Sequence, residues 1–108
     1  MFDIKETCLY KGLVEYILDK KVRIFTKDTY SCYKAKDIVN GELFKDWLKE
    51  NKVKEIDICG VETMCCVLAS AFDLFDNGYK INVLNELCAD MNGKYDKVSK
   101  EIIKNNFT

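Results

Sequence analysis

Ile56-Asp-Ile-Cys-Gly-Val-Glu-Thr-Met-Cys-Cys-Val-Leu-Ala-Ser70 is a short apolar segment that reaches a glycine and then passes into a helix-forming run. Gly60 permits the sharp turn that such a junction needs. Thr63 is placed to cap the helix, and Cys66 then falls in its first turn. A thiol beside the unpaired N–H groups of a helix start ionises more readily than a free thiol. The stretch therefore predicts a strand, a turn and a helix carrying a candidate nucleophile; a buried, inert Cys66 is the alternative.

Outside this stretch, the spacing of apolar residues alternates between helical and strand periods. The pattern predicts helices around residues 9–18 and 43–48, over 64–75, and over a last segment with Tyr95, Val98, Ile102 and Ile103 inward, and it predicts strands over 22–26, 55–59 and 80–84. Strands joined by helices of this length form right-handed crossovers in a parallel sheet. We expect one α/β domain over residues 1–108, with three α-β-α layers and a deeply buried 64–75 helix.

The composition gives no sign of a nucleic-acid or membrane partner. The chain has 17 basic and 18 acidic residues and a formal charge of −1, so no overall field attracts polyanions. No run approaches the roughly 18 apolar residues of a membrane span, and the first residues lack the basic start and apolar core of a secretion signal. We therefore expect a cytoplasmic protein that binds neither nucleic acid nor membrane.

Six cysteines occur, at positions 8, 32, 59, 65, 66 and 88, and most lie inside apolar segments. Without a secretion signal they are expected to be reduced thiols. Cys65 and Cys66 are adjacent, which is neither the CxxC spacing of redox pairs nor a zinc-ligand spacing. The sequence has no histidine, so histidine-dependent catalysis and histidine-ligated metal are excluded within this chain. A catalytic base must be Asp, Glu, Lys, Tyr or a group from outside.

Two reactive side chains follow predicted strands, at the edge of a parallel sheet where ligands bind. Cys66 comes just after the 55–59 strand, and Lys27 comes directly after the 22–26 strand. Lys27 alone would be an ordinary solvated loop lysine. An ammonium near a thiol, however, favours the thiolate, and this makes the pair a candidate site.

Three segments of the chain together resemble a known family. They are Lys27-Asp-Thr-Tyr-Ser-Cys-Tyr33, Cys59-Gly-Val-Glu-Thr-Met-Cys-Cys-Val67 and Gly78-Tyr-Lys-Ile-Asn-Val-Leu-Asn-Glu-Leu-Cys-Ala89. They are similar to the motifs of the isochorismatase-like cysteine hydrolases, which include nicotinamidases. The match extends from about residue 9 to about residue 105.

The resemblance implies roles for individual residues. Cys66, not Cys65, is the implied nucleophile, and Lys27 is the implied catalytic lysine. A cis peptide is implied between Val61 and Glu62, with the N–H groups of Glu62 and Cys66 forming an oxyanion hole. In the lysine loop, Tyr30 and Tyr33 are candidates for lining the substrate pocket. No cofactor is implied.

The chain also departs from the family pattern. The family's catalytic aspartate ends an N-terminal strand that this chain does not contain, and Asp3 cannot replace it because it follows no strand. In the family's sheet order, the missing strand and its neighbour lie between the strand ending near Lys27 and the strand ending near Gly60. We therefore expect a truncated, Rossmann-like, isochorismatase-like fold without the N-terminal strands, and no metal, since the nicotinamidase metal ligands belong to the absent part. Exposed sheet edges then predict a homo-oligomer or a complementing chain.

Three functions stay open at this point. The first is a cysteine hydrolase that cleaves a small amide, or an enol ether, through an acyl-enzyme on Cys66. The second is a non-catalytic fragment or binding subunit that keeps the fold and needs a partner chain. The third and weakest is a thiol-redox protein using Cys65 and Cys66, although adjacent cysteines form strained disulfides.

Overall fold

The computed structural model describes residues 22–91 and 93–107. The helix predicted around residues 9–18 lies outside the described residues, as does Cys8. In chain order the described elements are the strands β1 (Phe25–Thr26) and β2 (Lys36–Asp37), the helix α1 (Phe44–Glu50), the strand β3 (Glu55–Val61), a π-helical turn (Thr63–Val67), the helix α2 (Leu68–Asp76), the strand β4 (Lys80–Ala89) and the helix α3 (Asp96–Phe107).

The parallel sheet predicted from the sequence is present as the pair of β3 and β4. Its register begins with Glu55 opposite Lys80 and shifts between Ile58 and Gly60, after which Gly60 lies opposite Cys88. The connection between the two strands consists of the π-helical turn and α2. Both strands extend further than predicted, because pairing continues beyond the irregularity as far as Val61 and Ala89.

The strand predicted over residues 22–26 does not join this sheet. Only Phe25 and Thr26 are extended, and they pair antiparallel with Asp37 and Lys36 in a separate two-stranded sheet. The sequence analysis places this strand in the parallel sheet but not beside β3, and it does not predict the antiparallel partner, which the chain supplies locally by folding back. Among the described residues β1 and β3 share no hydrogen bonds, as expected if other strands separate them in the family's sheet order.

An ion-pair cluster holds the small sheet together. The guanidinium of Arg23 lies 2.9 Å from carboxylate oxygens of both Asp37 and Glu42. Two backbone N–H groups, those of Val39 and Asn40, also donate to the Asp37 carboxylate. These two N–H groups, and then Arg23, hold the pKa of Asp37 below its ordinary value.

The hydrophobic core lies where α1, α2 and α3 meet β4. Leu48, Leu74 and Ile103 are almost completely buried in it. The prediction for α3 is wrong in part: its buried side chains are Ser99, Ile103 and Phe107, while Tyr95, Val98 and Ile102 are exposed. The buried residues are spaced by four, and the small Ser99 side chain allows the helix to approach its neighbours closely.

The helix α2 is covered on one side only. Ser70, Ala71 and Leu74 are buried, but Phe72 and Phe75 are 38% and 54% exposed. Full burial, which is expected of a crossover helix in a complete sheet, therefore does not hold for these two side chains; a truncated sheet is expected to leave part of this helix uncovered. Both rings pack against Phe107, with ring centroids 5.1 and 5.8 Å away, because α3 is the neighbour on that side.

None of the described helices is long and apolar enough to cross a membrane.

Candidate active site

The turn after β3 carries the predicted nucleophile. Gly60 has a φ of +134°, which favours glycine, and the peptide bond between Val61 and Glu62 is cis. The carbonyl of Glu62 accepts hydrogen bonds from the N–H groups of Cys65 and Val67, at 3.2 and 3.1 Å. Cys66 therefore lies in the π-helical turn that leads into α2, at the carboxyl end of β3.

Side chains from two other elements hold this turn. The Thr63 hydroxyl donates to the Asp96 carboxylate at 2.9 Å, and Asp90 accepts from the N–H of Met64 at 3.1 Å. Thr63 makes no side-chain cap to the helix, so the predicted cap is wrong: its hydroxyl is fully buried against α3 instead. The Asp90 carboxylate, rather than the Thr63 hydroxyl, accepts a hydrogen bond from a backbone N–H at the start of the helix. The ammonium of Lys100 and the Thr63 hydroxyl lower the pKa of Asp96.

Lys27 and Cys66 meet although 39 residues separate them in the chain. The Lys27 ammonium lies 3.4 Å from the Cys66 sulfur and also donates to the carbonyl of Thr29 at 2.7 Å. Lys27 is therefore not an ordinary solvated loop lysine. The structure therefore brings together the lysine and the cysteine that the sequence analysis pairs.

The loop that carries Lys27 lies along the helix that follows Cys66. Ser31 donates its hydroxyl to the Asp73 carboxylate at 2.6 Å, and the N–H of Cys32 donates to the Ser70 hydroxyl at 2.9 Å. The sequence analysis missed Ser31, Ser70 and Asp73. Helical spacing was the available signal, since residues 66, 70 and 73 share one face of a helix.

The two candidate pocket tyrosines have different surroundings. Tyr30 is 67% exposed and, with Asp28 and Thr29, borders an open depression of about 560 Å³. Tyr33 is half-buried and packs against the hydrophobic core. Tyr30 is therefore the one that reaches open space next to the lysine loop.

The other described cysteines have different environments from Cys66. Burial raises the pKa of the thiols of Cys32 and Cys88. Cys59 is exposed, and Cys65 is half-buried. Of the thiols in residues 22–91 and 93–107, the Cys66 thiol alone accepts a hydrogen bond from a lysine.

The described residues contribute a thiol and an ammonium to the candidate site, but no carboxylate bonded to either. Within them, neither Lys27 nor Cys66 forms a hydrogen bond or ion pair with a carboxylate. No group of three His, Cys, Asp or Glu side chains in the described part of the chain could hold a metal ion. The absence of a metal stays a prediction.

A strand, a turn and a helix that bring a cysteine and a lysine together define an α/β protein with a candidate thiol site. The isochorismatase domain family model matches residues 5–108, and the chain belongs to that family. It is 32% identical over 85 residues to isochorismatase family protein 2A of Dictyostelium discoideum, a match that covers 77% of this chain and 39% of that protein. Over 65 residues it is 29% identical to the nicotinamidase of Escherichia coli, covering 60% of this chain and 30% of the relative.

Solved structures give the same result for the fold. The nicotinamidase SaPncA from Staphylococcus aureus superposes with a TM-score of 0.73 at 26% identity, over 92% of this chain and 60% of that one. The chain thus spans 30–39% of these two curated relatives and 60% of this structural neighbour. The fold is that of the isochorismatase-like nicotinamidases, present here in part.

Proposed function

We propose that this chain carries the cysteine and the lysine of a hydrolase site that cleaves the C–N bond of a small amide, with Cys66 as nucleophile. One observation carries the proposal: the Lys27 ammonium lies 3.4 Å from the Cys66 sulfur at the carboxyl end of β3. The nicotinamidase names of its relatives support an amide as the substrate class.

The reaction would proceed through a covalent intermediate. The Cys66 thiolate attacks the amide carbonyl carbon and forms a C–S bond, while the carbonyl oxygen becomes an oxyanion. The N–H groups of Glu62 and Cys66 would hold that oxyanion; among the described residues, the N–H of Glu62 has no hydrogen-bond acceptor. The C–N bond then breaks, the amine leaves with a proton, and water hydrolyses the thioester to the acid and the free thiol. Lys27 supports the negative charge throughout.

A carboxylate is still needed to take the thiol proton and return it to the leaving amine. We propose that a strand from outside the described residues supplies it, through a homo-oligomer or a complementing chain. Within the described part of the chain β3 pairs only with β4, so its other edge has N–H and C=O groups available for pairing. A strand added at this edge would lie next to the strand that leads to Cys66.

Ammonia release from nicotinamide and from a panel of small primary amides tests the activity. We expect release that is lost in Cys66→Ser and kept in Cys59→Ser, which changes an exposed thiol away from the lysine. Lys27→Ala should reduce the rate, because the thiolate loses its cation. Release that survives Cys66→Ser would contradict the assignment of the nucleophile.

The second candidate function is a non-catalytic binding subunit. It is favoured by the lack of any carboxylate bonded to Lys27 or Cys66 among the described residues. An activated ester such as p-nitrophenyl acetate separates the two, because its leaving group needs no proton from the enzyme. Stoichiometric acetylation of Cys66 by the ester, without ammonia release from the amides, would indicate a hydrolase site with a reactive cysteine that lacks its carboxylate. No acetylation at Cys66 would favour the binding subunit.

A further inference from the structure

The lysine loop contacts the cysteine helix at three successive points. Lys27 donates to Cys66, the N–H of Cys32 donates to Ser70, and Ser31 donates to Asp73. The three acceptors come at helical spacing, so the loop lies lengthwise along one face of the helix. Of the three contacts, the one between Ser31 and Asp73 is the shortest, at 2.6 Å, and its acceptor is a carboxylate. Hydrogen bonds to an ionised acceptor are the stronger kind.

The Asp73 contact is linked to Lys27 through the loop itself. The carbonyl of Ser31 accepts from the Thr29 hydroxyl at 2.7 Å, and the carbonyl of Thr29 accepts from the Lys27 ammonium at 2.7 Å. The Ser31 hydroxyl in turn accepts from the N–H of Tyr33 at 3.1 Å, which fixes the turn around it. Hydrogen bonds between Asp73 and Ser31, Ser31 and Thr29, and Thr29 and Lys27 therefore link the helix to the ammonium that faces Cys66, through the covalent structure of the loop residues.

The carboxylate of Asp73 is held in place on the helix. Its second oxygen accepts from the side-chain amide of Asn77 at 3.2 Å, one turn further along the helix. Both oxygens thus have partners, and the oxygen that faces the loop is oriented for Ser31. A long, flexible lysine side chain loses rotamer freedom when it is placed at a site, and such preorganisation of its loop reduces that loss.

We propose that Asp73, acting through the Ser31 hydroxyl, positions the Lys27 ammonium on the Cys66 thiol. Asp73 is a positioning residue in this account and touches neither the thiol nor the substrate. The inference rests on the proposed Cys66–Lys27 site and adds the residue that sets its geometry.

The direction in which removal of Asp73 changes the alkylation rate of Cys66 distinguishes positioning of Lys27 from a direct effect of the Asp73 charge. By charge alone, removal of the Asp73 carboxylate, about two helical turns from Cys66, would not slow the alkylation of that thiol. If Asp73 positions Lys27, its removal should instead slow alkylation, because the ammonium is no longer held at the sulfur.

The experiment measures the alkylation rate of Cys66 by iodoacetamide at neutral pH, with peptide mapping, in the full chain and its variants. We expect Asp73→Ala to slow the reaction about three- to tenfold and Asp73→Asn, which keeps an oxygen for Ser31, to stay within about twofold of the unsubstituted chain. In a Lys27→Ala background, Asp73→Ala should have no further effect. Asp76→Ala is the matched control, since Asp76 is exposed on the same helix.

Three outcomes would overturn the proposal. They are an unchanged or faster rate in Asp73→Ala, an equal slowing with and without Lys27, and no rescue by Asn. If the proposed Cys66–Lys27 site itself were wrong, the result would be different: Lys27→Ala alone would leave the alkylation rate of Cys66 unchanged.

Discussion

Lys27 donates to two acceptors of unequal strength, the carbonyl of Thr29 at 2.7 Å and the sulfur of Cys66 at 3.4 Å. The carbonyl of Thr29 holds the ammonium more closely, and the sulfur is its second, more distant acceptor. The two residues could be singled out from the sequence because each follows a predicted strand, and the motifs that resemble the family point to the same pair. Ser31, Ser70 and Asp73, which bring the loop and the helix together, were missed: helical spacing puts Ser70 and Asp73 on the face of Cys66, but no local pattern indicates that the loop packs along that face.

The thiols should differ in their reactivity. Cys66 should be alkylated faster than Cys59, although Cys59 is more exposed, because only Cys66 faces the lysine ammonium. Cys32 and Cys88 should react slowest, since burial raises the pKa of both thiols and leaves less thiolate at neutral pH. Peptide mapping after brief iodoacetamide treatment gives the order. Faster labelling of Cys59 than of Cys66 would contradict the environment assigned to the site.

At the scale of elements, strand and helix types are predicted well where the apolar period is clear, as for β3, β4 and α3. The inward face of α3 was misjudged because Ser99 is polar, and a small buried serine is invisible to a hydrophobic pattern. The pairing of β1 was misjudged because a two-residue strand leaves no periodicity to read. Its partner is set by the ion pairs of Arg23, which no local pattern indicates.

Acid should destabilise the small sheet through Asp37. Its pKa is lowered in the folded chain, so its contribution to stability is present above the unfolded value of about 3.9 and is lost as the pH falls through the folded value. Asp37→Asn should therefore flatten the loss of stability on acidification, as measured by denaturant unfolding at several pH values. Arg23→Gln should flatten it less, because the N–H groups of Val39 and Asn40 remain. An unchanged slope in Asp37→Asn would show that this carboxyl does not govern the acid response.

The helix α2 should depend on its buried side far more than on its exposed one. Leu74 is completely buried, so Leu74→Ala should lower the free energy of unfolding by about 2–5 kcal/mol. Phe75 is 54% exposed, and Phe75→Ala should cost clearly less, although it loses a contact with Phe107. Chemical denaturation of the two variants gives the comparison. Equal losses would mean that the exposed side of the helix is covered in solution.

At the scale of the whole molecule, the described residues form two small sheets rather than one continuous sheet. The chain covers 60% of the Staphylococcus aureus nicotinamidase with which it superposes. A parallel sheet of two strands leaves backbone groups along both outer edges without strand partners, and such edges pair with other chains. The amino-acid composition could not indicate these unpaired edges, because the pairing of an edge depends on which strands are adjacent in space.

The chain should therefore associate in solution, either with itself or with a complementing segment. Sedimentation equilibrium over a series of micromolar concentrations should give a mass above that of one chain. Addition of a separately produced N-terminal portion of a family member should convert that species into a defined complex. A monomer at every concentration, with sharp cooperative unfolding and no binding of the added portion, would contradict the expectation.

The central claim is that Lys27 activates Cys66, and the alkylation rate of Cys66 as a function of pH tests it most directly. In Lys27→Ala the rate near neutral pH should fall several-fold, because the sulfur loses the ammonium that lies 3.4 Å away. Lys34→Ala, a change to an exposed lysine at the end of the same loop, should leave the whole profile unchanged. Coincident profiles for the unsubstituted chain and Lys27→Ala would contradict the account.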